Sequence, residues 1–156
     1  VTLSPSLMAY SRRGDIWAAG YQINEAGLIE VNAASIVNLT NTPGFRESQC
    51  SFSRDGTYLS YSRLVDLWEI VVLDLFAMEE MVVVDGLASG REVAWSPDGS
   101  QLCIHDVEQL FSGKKIFDLF QIDNWDDPVN RTVTQVTTDR NKEEVSPDWK
   151  PGPLEL

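Results

Sequence analysis

Histidine is nearly missing from this chain: His105 is the single one among 156 residues, and Cys50 and Cys103 are the only cysteines. That scarcity excludes the His/Cys clusters at metal-ligand spacing that a zinc site needs. A lone histidine within a strand-like run reads as a packed residue rather than a general base. No G-x-S-x-G elbow and no glycine-rich phosphate loop occur. Accordingly no catalytic residue, metal ligand or cofactor is assigned. Basic residues are also few, with 12 Lys and Arg against 24 Asp and Glu and a net charge of −12. A general nucleic-acid binder needs a basic surface, so nucleic acid is not an expected partner. No apolar run approaches the ~20 residues of a membrane span.

What is present reads as strand and turn. Short runs rich in Val, Ile, Tyr, Trp and Thr alternate with Gly, Pro, Asn and Asp clusters, so an all-β chain with little helix is expected. The most apolar stretch, "LWEIVVLDLFAMEEMVVV", is too uniformly apolar and β-branched for an amphipathic helix, and reads as two strands joined at Ala77 to Glu80. Cys50 and Cys103 fall inside strand-like segments, which suits free core thiols; two cysteines leave a disulfide open and do not define a compartment. "DNWDDP" gathers Asp123, Asp126 and Asp127, a solvated acidic loop whose alternative is Ca²⁺ bound through oxygen. Asn38 and Asn130 each open a glycosylation sequon, meaningful only in a eukaryotic secretory setting.

The chain repeats itself. "CSFSRDGTYLSYS" (Cys50 to Ser62) superposes without a gap on "VAWSPDGSQLCIH" (Val93 to His105). Phe52 and Trp95, Asp55 and Asp98, and Gly56 and Gly99 are each 43 residues apart. "SPDWKPG" (Ser146 to Gly152) repeats the aromatic and the turn, with Trp149 in the Trp95 place. "LMAYSRRGDIW" (Leu7 to Trp17) matches "YLSYSRLVDLW" (Tyr58 to Trp68), and a third copy, "QLCIHD" then "KKIFDL", carries an insertion between its strands. "IVNLTNTPG" and "VTQVTTD" supply a further strand ending in Thr. Turn chemistry explains the motif: Pro97 presets φ, Asp98 tolerates the second corner, and Gly99 accepts the positive φ that closes the hairpin. Asp55 and Asp98 therefore read as turn formers, and the recurring aromatic as a packing wedge between sheets.

These repeats resemble TolB-type (WD40-like) β-propeller repeats along nearly the whole chain. Arg54 replaces the turn proline and the third copy has its insertion. The resemblance implies a disc of four-stranded blades around a channel, used mostly for protein recognition, and a periplasmic or extracellular setting. It does not imply one activity, because related propellers are scaffolds, peptidase gates and glycan lyases. The lyases need several histidines, so that activity is disfavoured.

Counting strands gives a single propeller module over 1–156. Blade one takes strands at 7–11, 15–23 and 35–40 and an inner strand at 146–150; blade two runs over 49–84 and blade three over 93–137. Propellers have four to eight blades, and three would close too tightly. The expectation is thus a six-bladed ring made of two chains, a homodimer through exchange of terminal strands; the competing reading is half of a longer six-bladed chain.

One end of such a ring collects the loops joining strands two to three and blade to blade. These hold Arg12, Arg13, Arg46, Arg63, Arg91, Lys114, Lys115, Arg140 and Lys142. The opposite end carries Glu25, Glu30, Asp55, Glu79, Glu80, Asp98, Asp126 and Asp127. Arg12, Arg13, Arg46, Arg63, Arg91, Arg140 and Lys142 are the expected ligand-binding set, for an acidic protein or peptide steered by a local basic rim. Two function classes follow: a non-catalytic binding scaffold, or a propeller fragment or subunit of a larger peptidase-gating or glycan-degrading enzyme.

Overall fold

Residues 6–109, 115–138 and 144–149 are described by the structure, a computed structural model. Among these residues twelve strands build three antiparallel sheets, and the sole helix is a 3-10 turn, Ala33–Ser35. Sheet one holds β1 (Ser6–Arg12), β2 (Asp15–Ile23), β3 (Ile29–Val31) and β4 (Val37–Asn38). Sheet two is a meander of β5 (Arg46–Phe52), β6 (Tyr58–Leu64), β7 (Trp68–Asp74) and β8 (Glu79–Leu87). Sheet three is a second meander of β9 (Val93–Trp95), β10 (Gln101–Gln109), β11 (Lys115–Asp123) and β12 (Thr132–Gln135).

The repeated turn holds its sheets in the same way twice. Ser53 Oγ donates to Asp55 Oδ1 at 2.7 Å and accepts from the Tyr58 amide at 2.9 Å. Ser96 Oγ donates to Asp98 Oδ1 at 2.7 Å and accepts from the Gln101 amide at 2.9 Å. Gly56 and Gly99 lie at φ 74° and 76°, the left-handed region where a side chain is strained. Asp55 and Asp98 spend their lone pairs on this local network, so both carboxyls fall below their usual range, Asp98 to about 2.

Two cores separate the three layers. Ile16 of sheet one meets Leu59, Tyr61, Val71 and Leu73 of sheet two. On the other face of sheet two, Ile70, Val72 and Val83 meet Val93, Trp95, Leu102, Ile104 and Ile122 of sheet three. β7 is therefore buried on both faces, the physical reason that Ile70–Leu73 carry no alternation. Trp95 is the wedge, 8% exposed. Its indole N–H reaches across the seam to Ser51 O at 3.1 Å and Ser60 Oγ at 3.0 Å. Tyr58 stacks on it, and Trp125 meets both rings edge-on. Phe52 and Trp149, expected to share the wedge role, are half-buried.

Strand bounds differ from the expected ones where side chains intervene. The third position of sheet one is divided between β3 and β4, both paired to β2. Asn32 caps the 3-10 turn between them, and Ser35 Oγ accepts from the Gly20 amide at 2.7 Å in place of a ladder carbonyl. β5 starts at Arg46 rather than 49, because a bulge with Gln49 at φ 54° inserts ahead of the repeated segment. β8 continues to Leu87 through a second irregularity.

The segment after sheet three mirrors the one after sheet one. Glu47 N donates to Gly14 O at 2.8 Å, and Glu144 N to Phe117 O at 2.9 Å. Thr40 Oγ1 accepts from Ile16 N and Thr137 Oγ1 from Leu119 N. Gln49 and Ser146 share a positive φ, each three residues before its aromatic, Phe52 or Trp149. Residues 144–149 thus stand to sheet three as the start of β5 stands to sheet one. They form no strand, and Lys150 lies outside the described residues.

Candidate binding face

Strand direction brings the described arginines of the expected set to one end of the sheets. Arg12 ends β1 opposite Asp15, Arg46 opens β5 opposite Leu64, and Leu64 lies opposite Trp68 at the β6–β7 turn. The loop into β9 arrives at the same end, because Arg91 lies over the Trp68 ring, 5.3 Å from its centroid. The β1–β2 turn touches the start of β5: Gly14 O accepts from Glu47 N, and a Cβ on Gly14 would approach Phe45 O to 3.2 Å. Arg140 and Lys142, with Lys114, lie outside the described residues, and for Lys115 only the main chain is described.

The five described arginines of that set differ in what they do. Arg12, Arg13, Arg46 and Arg91 are exposed. Arg12 is held extended over the Trp17 ring at 5.2 Å, while the Trp17 indole donates to Arg12 O. Arg13 takes φ 56° in its turn. Arg63 is committed inward: Nε meets Glu69 Oε1 at 2.6 Å and Nη1 meets Glu80 Oε2 at 2.7 Å. Tyr61 Oη also donates to Glu80 at 2.7 Å, and burial, with the Glu80 and Glu47 carboxylates nearby, pushes the Tyr61 phenol well above its ordinary range. Glu80, assigned from sequence to the opposite end, is thus the counter-ion of Arg63. The Arg63 guanidinium also faces the Phe45 ring at 5.4 Å.

Beneath this end lies a buried carboxylate that the sequence did not single out. Glu47 is 2% exposed and accepts from the Thr40 and Thr42 hydroxyls, the latter at 2.6 Å. It ties the "LTNTPG" loop to β5. Further out, Arg131 bridges sheets two and three, donating to Val83 O at 2.6 Å and to Trp125 O at 2.7 Å. The Val83 carbonyl lies 48 residues from Arg131, and Glu47 meets its threonines, five and seven residues away, only because the loop before β5 folds back, so no local pattern announces either residue.

The remaining candidates sit in ordinary packing. His105 is buried against Phe117, its Nδ1 3.6 Å from Glu92 Oε2. Loss of hydration lowers its pKa, and the nearby Glu92 and Asp106 oppose that shift. Cys50 and Cys103 are free and half-buried, and burial raises both thiols. Asp123 accepts from Gln101 and Gln121, and Asp127 from Val129 N and Asn130. Among the described residues no group of three or more His, Cys, Asp or Glu is gathered as a cation site. No helix among them is long and apolar enough to cross a membrane. Asn38, the first sequon, donates to Asp15 Oδ2 at 2.8 Å from a half-buried position.

No protein-family model matches the chain, and no curated protein matches its sequence. Solved structures do match its fold. The nidogen/laminin complex aligns at a TM-score of 0.58 and 12% identity, over 81% of this chain and 43% of that one. The putative TolB of Agrobacterium tumefaciens aligns at a TM-score of 0.53 and 17% identity, over 79% of this chain and 43% of that one. The chain spans less than half the length of either structure. At these identities the likeness is one of fold: three four-stranded sheets in a β-propeller arrangement.

Proposed function

We propose that this chain is a non-catalytic β-propeller scaffold that binds an acidic protein or peptide through the arginine-bearing end of its sheets. One observation carries the reading. Arg12, Arg13, Arg46 and Arg91 project from a single end of rigid, stacked sheets, in a chain whose net charge is −12. Loops held by a rigid scaffold are where recognition resides. A local basic rim on an acidic body steers an acidic ligand to one place and repels it elsewhere. The test reverses Arg12, Arg46 and Arg91 to Glu and compares native partners recovered by the parent, by this variant, and by Arg54→Glu at the opposite end. Loss with the triple variant alone is the expected result; equal recovery by all three refutes the assignment.

The propeller also needs closing. We propose a six-bladed ring of two chains, in which residues 146–150 of each copy supply the inner strand of the other's first blade. Two features support it. Residues 144–149 repeat beyond sheet three the contacts that the start of β5 makes beyond sheet one, and β1, with Leu7 exposed on it, pairs only with β2 among the described residues. Such a ring has an obligate interface. Light scattering should return twice 17.5 kDa; a compact, folded monomer at micromolar concentration refutes the two-chain ring.

A further inference from the structure

The basic end is not purely basic. Phe45, Val65 and Leu67 are 42%, 49% and 54% exposed on the same rim, at the start of β5 and in the β6–β7 turn. Across the rim the order is fixed by pairing. The β1–β2 turn that carries Arg12 and Arg13 meets the start of β5 through Gly14, beside Phe45; β5 pairs with β6, whose turn carries Val65 and Leu67; Trp68 follows, with Arg91 over its ring. The strip therefore runs from cations, through apolar side chains, to a cation. Asp66, exposed between Val65 and Leu67, puts a negative charge in the apolar middle. Arg63, beneath Phe45, is already neutralised by Glu69 and Glu80 and adds no free charge there.

From this order we infer that the ligand of the face is an extended protein segment with an apolar centre flanked by carboxylates. The inference rests on the binding face proposed above and names its occupant. Flanking carboxylates meet Arg12, Arg13 and Arg46 on one side and Arg91 on the other. Stacking on Trp17 and Trp68 holds Arg12 and Arg91 in place before the ligand arrives, so little side-chain freedom is lost on binding. Asp66 repels a ligand that is anionic along its whole length. A partner aromatic or aliphatic side chain instead removes water from Phe45, Val65 and Leu67, where directional hydrogen bonding is scarce. A flat anionic membrane fits less well, because it would also face the acidic body around the strip.

The test uses the full chain and three fluorescent peptides of equal charge: Glu-rich flanks around a Leu-Phe centre, the same flanks around Ser, and the first composition with Leu and Phe moved to the ends. Vesicles containing phosphatidylserine are the fourth probe. The Leu-Phe-centred peptide should bind about tenfold or more tightly than either other peptide, the scale set by burying one large apolar side chain. Phe45→Ser with Leu67→Ser should erase that preference while leaving the Ser-centred peptide unchanged; both positions are exposed, so an unaltered melting curve is the control. Equal affinity for all three peptides, abolished by the arginine reversals, overturns the apolar-centred occupant but leaves the basic face standing. No peptide binding overturns both, and vesicle binding without peptide binding overturns a protein segment in favour of a membrane.

Discussion

Replacing Trp95 tests the seam on which the arrangement of sheets two and three depends. Its ring fills the space between β5, β6 and β9, packed on Tyr58 and Trp125, and its indole N–H satisfies Ser51 O and Ser60 Oγ. Trp95→Ala removes a buried aromatic and leaves a cavity that the double β-layer cannot collapse, at a cost of about 3–5 kcal/mol. Trp95→Phe keeps most of the apolar volume and removes only the N–H. Ser60 Oγ still donates to Ser51 O at 3.1 Å, so the second change should cost about 1–2 kcal/mol. For a domain of this size those costs correspond to Tm losses of roughly 6–20 °C for Ala and 2–8 °C for Phe. Urea and thermal unfolding of parent and both variants, followed by tryptophan fluorescence and circular dichroism, provide the measurement. A Trp95→Ala protein melting within a degree or two of the parent would refute the wedge.

Glu47→Ala should destabilise by about 3 kcal/mol, because two threonine hydroxyls lose a buried charged acceptor, and urea unfolding reads it directly. Arg131→Ala should cost about 1.5–3 kcal/mol and speed hydrogen exchange in β8, whose Val82 and Val83 carbonyls it holds; unchanged exchange there would count against the clamp. Asp98, held at about 2 in the folded chain from an ordinary 3.8, contributes stability that is complete above pH 4 and fades as pH falls toward 2. Asp98→Asn should accordingly flatten that part of a stability-versus-pH curve, while a variant with the parent's acid limb would contradict the turn network.

What could be read from sequence alone was whatever closes within a few residues. The Ser-x-Asp-Gly turns are visible because Ser53 bonds to Asp55 and Tyr58, and Ser96 to Asp98 and Gln101, over separations of two and five residues. The doubly buried β7 shows as an unbroken apolar run, since each face of a strand records its own burial. The collection of arginines at one end follows from strand direction, which the repeats fix. Their roles do not follow. Arg63 and Arg91 occupy the same kind of rim position, yet Arg63 ends on Glu80, 17 residues away, and Arg91 on the ring of Trp68. Arg131 clamps a carbonyl 48 residues distant, and Glu47 needs the Thr40 loop folded back over β5. The division of β3 from β4 rests on Ser35 reaching Gly20 across the sheet. A charged side chain takes whichever counter-charge or aromatic ring the packed layers bring within reach, and that neighbour is set by tertiary contact rather than by the order of residues along the chain.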